Sequence, residues 1–154
     1  MNTKLQQFID GSITFAEFAG LSAEQAHAMA HIGCDLAQAG QLEDAETILS
    51  TLASFNPHDS AIQAALGTVY QKLGRPAEAE KAYIASIKGN PQNAMALANL
   101  GEMRVRCGDA AGRTMLESAV RADAQGVVPA AQRAKTILEL VKRTTQNKFK
   151  PSNR

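Results

Sequence analysis

Tryptophan is missing from this 154-residue chain, and aromatic residues make up only 5% of it. With 45% apolar residues a core can still form, but alanine must fill much of it. That suits helices packed close together and argues against a sheet, and no run of alternating apolar and polar residues marks a strand. A dominant charge is also missing. Sixteen Lys and Arg against fifteen Asp and Glu leave a net charge of +1, so no global field selects nucleic acid or a membrane surface. The apolar runs are too short to span a bilayer. The opening Met1–Gln7 has no apolar stretch of the kind a secretory signal carries, so a cytoplasmic protein is expected. Cysteine is scarce: Cys34 and Cys107 read as two reduced, small apolar residues. Glycine-rich phosphate loops and recognisable nucleophile motifs are absent too. No catalytic residue and no cofactor is expected.

What is present is a period. Gly33, Gly67 and Gly101 stand 34 residues apart, as do Gly40, Gly74 and Gly108. Pro57 and Pro91 keep the same step, and so do Ala45 and Ala79. Cut at this period, the copies run 26–59, 60–93 and 94–126. The second has Leu66-Gly67, Tyr70, Gly74, Ala79, Tyr83 and Pro91; the first has Ile32-Gly33, Leu36, Gly40, Ala45, Leu49 and Pro57. The third is one residue short after Gly108, so that Gly112 takes the place of Ala79, with Leu116 and Ala119 following. The pattern resembles the tetratricopeptide repeat, a helix-turn-helix unit of 34 residues. The resemblance implies an all-α fold, three repeats in an α-α superhelix closed by a capping helix over 127–145; the residues outside them read as an N-terminal helical extension over 1–25 and, since no acid follows Glu139, a basic disordered tail over 146–154.

Each copy then reads as a helix A (His27–Ala39, Ile62–Leu73, Met95–Cys107) and a helix B beginning near Glu43, Ala77 and Ala111. A mid-helix glycine costs about 1 kcal/mol against alanine, so Gly33, Gly67 and Gly101 mark a close approach of helix B, with Ala45, Ala79 and Gly112 as the small residues opposite. Gly40, Gly74 and Gly108 fall where helix A should stop. Ser22-Ala23-Glu24-Gln25 reads as a capping box that opens the first repeat. Pro129 suits the first turn of the closing helix, whose apolar stripe is Ile137, Leu138 and Val141. With Cys34 and Cys107 two repeats apart, no disulfide joins them.

The N-terminal segment holds three of the five phenylalanines, Phe8, Phe15 and Phe18. With Leu5, Ile9, Ile13 and Leu21 they make two short amphipathic segments broken at Gly11-Ser12. Such an apolar cluster needs cover. It either packs on the first repeat or forms a homodimer contact through Phe8, Phe15 and Phe18. His27, His31 and Cys34 share one helical face and are residue types that bind zinc. Neither a fourth ligand nor a partnering Glu is evident, so no metal is expected. Nucleic acid is not expected either, because no stacking aromatics line the inner helices.

In tetratricopeptide arrays the A helices line a concave groove. Carried over by repeat position, the groove residues are His27, Ala30, Cys34, Ala37 and Gln38; Ala61, Ala64, Thr68, Gln71 and Lys72; and Met95, Ala98, Glu102, Val105 and Arg106. This lining could seat an extended peptide with apolar side chains. The carboxylate clamp known in the family needs Lys or Arg and Asn where this chain has Ala30, Cys34, Ala65 and Met95, so that use is excluded. Length, extension, three repeats and closing helix, with Phe15-Ala16-Glu17-Phe18-Ala19-Gly20-Leu21-Ser22, Gly40-Gln41-Leu42-Glu43-Asp44-Ala45, Asn56-Pro57-His58-Asp59-Ser60 and Cys107-Gly108-Asp109, are similar to class II chaperones of bacterial type III secretion. The resemblance implies a non-enzymatic chaperone that holds an apolar segment of a translocator-like client in the cytoplasm. The alternative is a generic repeat scaffold that joins folded partners. That family lines its first helix A with aromatics, whereas Ala30, Cys34 and Ala37 are small. Either the usual Pro/Val-x-Leu-x-x-Pro ligand motif does not carry over, or the pocket is wider and takes a bulkier anchor.

Overall fold

A computed structural model describes residues 6–7, 12–13 and 20–148, with side chains to Thr144. Phe8, Phe15 and Phe18 lie outside the described residues, as does the tail beyond Lys148. From Gly20 onward the described residues form seven helices and no strand: α1 Ala23–Ala39, α2 Leu42–Phe55, α3 Ser60–Lys72, α4 Pro76–Gly89, α5 Ala94–Arg106, α6 Ala111–Ala122 and α7 Pro129–Lys148. The chain divides into two compact units between Gly89 and Asn90.

The helix starts follow from their caps. Ser22 accepts from the Gln25 amide while the Gln25 side chain accepts from the Ser22 amide, a full capping box that opens α1. Asp59 accepts from the amides of Ala61 and Ile62 at the start of α3, and Asn93 accepts from Ala96 at the start of α5. The A helices stop where the sequence places glycine. Gly40, Gly74 and Gly108 all have left-handed φ, between 72° and 84°, a conformation that costs glycine little.

In the first unit α1 packs on α2, α2 on α3 and α3 on α4. Its core contains Ala45, Leu49, Leu52, Ile62, Leu66 and Val69, with Tyr83 fully buried in α4. The mid-helix glycines are points of close approach, but the residues opposite are not all the small ones expected. A methyl on Gly67 would stand 2.6 Å from Cε1 of Tyr83, and one on Gly33 would stand 2.9 Å from Cγ of Leu49. Tyr83 and Leu49 come four residues, or one turn, after Ala79 and Ala45. The alanines are buried, but the glycine leaves room for the larger side chain. Only in the third repeat do two small residues meet: a methyl on Gly101 would lie 3.0 Å from the carbonyl oxygen of Gly112.

In the second unit α5 and α6 pair, and α7 packs on both. Pro129 is the first residue of α7, where its missing N–H leaves no bond unmade. The buried face of α7 is Ala130, Ala131 and Ala134, whereas the predicted stripe of Ile137, Leu138 and Val141 is only half-buried. Alanine lets α7 approach closely, so the bulkier residues stand further along the helix. The helix runs to Lys148, past the expected end at 145.

Candidate peptide-binding site

A pocket of about 330 Å³ opens in the first unit. Helix α1 supplies Ala26, His27, Ala30, His31 and Cys34; α2 supplies Leu49, Leu52 and Phe55; α3 supplies Ala61, Ile62 and Ala65. Ser22, Asn56 and Asp59 bring polar groups to the lining, and Asp59 is already held by its capping bonds. The size falls within the range of pockets that seat a ligand side chain or small molecule. The walls form as they do because α1 and α3 carry small residues on the faces that line the pocket. One period separates His27 from Ala61 and His31 from Ala65, so equivalent positions of two repeats line one cavity.

Of the residues carried over from the family, His27, Ala30, Cys34 and Ala61 line this pocket. The others do not. Ala37, Ala64 and Ala98 are buried, with Ala64 at 0% exposure. A charge placed at Ala64 would break packing before it reported on a ligand. Gln38 is exposed. The polar residues of α3 already have intramolecular partners. Lys72 Nζ donates to the carbonyl of Ala37 at 2.8 Å, satisfying an end carbonyl of α1 and placing a cation at the negative end of that helix. Gln71 Oε1 accepts from the Tyr83 hydroxyl at 2.9 Å, and Thr68 Oγ1 donates to the Ala64 carbonyl at 3.1 Å.

Met95, Glu102, Val105 and Arg106 belong to the second unit. There Glu102 pairs with Arg106 at 2.6 Å and lies 3.8 Å from Arg133 of α7. Val105 lines a smaller cavity of about 270 Å³ with Leu116, Leu138 and Val141. Ala26, Leu52, Phe55, Ile62 and Ala65 line the first pocket but were not among the groove residues carried over. Their signal was present in the repeat alignment, since Ala65 stands one period after His31, but repeat position alone does not show which helix B residues form a floor.

The thiol of Cys34 is half-buried, and its pKa is raised, first by burial and then by the neighbouring Asp35 carboxylate. It is a poor nucleophile in this state. His27 and His31 are exposed, with their Nε2 atoms 3.2 Å apart. Among the described residues no group of three or more His, Cys, Asp or Glu side chains converges on one point. No helix among them is long and apolar enough to cross a membrane.

Residues 36–101 match the tetratricopeptide repeat family model. Among curated proteins none matches the chain in sequence. Solved structures match over most of the length. A type III secretion system complex from Aeromonas hydrophila superposes with a TM-score of 0.76 at 22% identity, covering 95% of this chain and 98% of that one. PcrH, a protein of Pseudomonas aeruginosa, in complex with the chaperone binding region of PopD gives 0.69 at 25% identity, covering 82% and 97%. The type III secretion translocator chaperone SycD of Yersinia enterocolitica gives 0.70 at 20% identity, covering 83% and 98%. The periodic glycines, the paired helices and these likenesses agree: the chain has the tetratricopeptide-repeat fold.

Proposed function

We propose that the protein is a non-enzymatic chaperone which holds an extended apolar segment of a secretion client in the cytoplasm. The observation that carries this reading is the apolar pocket between α1 and α3, lined by His27, Ala30, Cys34, Ala61 and Ala65. One anchor side chain of a client enters it, and the rest of the segment runs along the exposed faces of α1 and α3. Structures of similar fold support the reading: PcrH is solved with the chaperone binding regions of PopD and PopB, and SycD with a peptide of the translocator YopD. The mechanism is mass action. Binding an unfolded-like segment lowers the free concentration of its aggregation-prone form, and release needs only a competing site at the export machine. A homodimer through Phe8, Phe15 and Phe18 belongs to the same proposal, since SycD has been crystallised in an alternative dimer.

The competing reading is a repeat scaffold that grips folded partners. Affinity capture with the intact protein and with an Ala65→Phe variant separates the two. Ala65 is half-buried on the pocket wall, so phenylalanine there fills the cavity. A chaperone retains one or two stoichiometric partners with long apolar segments and loses them in the variant, at unchanged helical circular dichroism. Folded assembly components retained equally by both proteins would establish the scaffold instead.

A further inference from the structure

We propose that His27 and His31 form a binding site for a divalent transition-metal ion of the nickel, copper and zinc group. The two residues stand one helical turn apart on α1, and their Nε2 atoms approach to 3.2 Å. The rings meet edge to face, with centroids 4.7 Å apart and planes at 81°. Imidazole nitrogens that both sit about 2.0–2.1 Å from one ion and 3.2 Å from each other subtend about 100° at it, near the tetrahedral angle. Without metal, a single N–H shared between the rings accounts for the same approach: one Nε2 donates and the other accepts. On binding, the donor ring carries its proton on Nδ1 instead, and both Nε2 lone pairs face the ion.

The helix supplies the preorganisation. Its start is fixed by the Ser22 capping box, and its middle is held where Gly33 packs on Leu49. Little backbone movement is then needed to chelate. Both imidazoles are exposed, so an ion reaches them from water. Among the described residues no third His, Cys, Asp or Glu completes a cluster, so the remaining coordination positions are open to water or to a donor from a bound partner. Two imidazoles with open positions follow the Irving–Williams order, with copper(II) held most tightly. The counterparts one period on, Ala61 and Ala65, cannot ligate, so the site belongs to the first repeat alone.

The test uses the intact, untagged protein with copper(II), nickel(II) and zinc(II) titrated separately by calorimetry, alongside His27→Gln, His31→Gln and the double variant. One equivalent is expected to bind, copper most tightly. Either single variant should weaken it at least tenfold, and the double variant should abolish it. Metal should raise the melting temperature of the unmutated protein and leave that of the double variant unchanged. Equal metal-free melting temperatures would show that the variants fold. No binding by the unmutated protein, or equal affinity in the double variant, overturns the assignment; the second result would send the ion to His58, the thiols or the amino terminus. Neither readout needs a client, so the result stands whether or not the chaperone reading does.

Discussion

The first and second repeats share a backbone plan but differ in how their A helices are tied down. In the second repeat, Tyr83 of α4 fills the space beside Gly67, and its hydroxyl donates to Gln71 and lies 3.3 Å from Thr68 Oγ1. One period earlier, the same three positions are Leu49, Ala37 and Cys34. Leucine fills less space than tyrosine and carries no hydroxyl. Cys34 and Ala37 offer no counterpart to the Gln71 carbonyl. The second repeat is thus closed by an aromatic ring with a polar tether, whereas the first is closed by aliphatic contact alone. Cys34 and Leu49 both line the pocket. A pair of 34-residue copies can therefore hold one backbone plan while differing in how helix B closes on helix A.

The largest expected effect separates the two closures directly. Tyr83 and Leu49 are both fully buried, and removing a large buried ring costs about 3–5 kcal/mol against about 2–5 for leucine. Tyr83→Ala should therefore cost about 4 kcal/mol in urea unfolding of the full chain, and Leu49→Ala about 3. Equal costs would mean that ring and tether together close the second repeat no more firmly than leucine closes the first. Tyr83→Phe isolates the tether: losing one hydroxyl hydrogen bond should cost about 1 kcal/mol. The glycines give a finer contrast. Alanine at Gly67 meets a rigid ring at 2.6 Å, and overpacking of that kind costs about 1–3 kcal/mol, partly offset by about 1 kcal/mol of helix propensity. Alanine at Gly33 meets the branch carbon of buried Leu49 at 2.9 Å, a smaller overlap with a smaller side chain. Gly67→Ala should destabilise by about 1 kcal/mol and Gly33→Ala by less. The reverse order would overturn the account of the two closures.

The fold was legible because its rules are local. Glycine at 34-residue spacing, a Ser-x-x-Gln box and a proline at a helix start each act within a few residues of themselves, and Ser22, Gly74 and Pro129 behave as their neighbours dictate. The pocket was legible only in part. Repeat position identified which face of α1 carries His27, Ala30 and Cys34, since that follows from helical period. It could not tell that Lys72 would reach back to the Ala37 carbonyl, or that Ala64 would be covered, because those outcomes depend on the spacing of two helices. The same limit makes Ala45, and not Leu49, read as the partner of Gly33 in sequence. A small residue looks like a contact point in sequence, but the glycine gap in fact admits the bulky residue one turn on.

The smallest effect reads the open wall of the first repeat through its thiol. Cys34 is half-buried with its pKa raised by burial and by Asp35, and Cys107 is exposed. Thiolate is the reactive form, so at neutral pH Cys34 should react with iodoacetamide more slowly than Cys107, and the gap should narrow as pH rises toward the range where Cys34 ionises. A ligand seated between α1 and α3 covers Cys34. Adding a client segment should therefore slow Cys34 several-fold further and leave Cys107 unchanged, as measured by peptide mass mapping of labelled protein. Thr68 is the counterpart of Cys34 and lies 3.3 Å from the Tyr83 hydroxyl. A Cys34→Ser, Thr68→Cys variant moves the thiol into the closed repeat, where an occupant of the pocket should give no protection. Equal protection at both positions would mean that the occupant lies along the whole helix face and that the difference in closure does not decide where it binds.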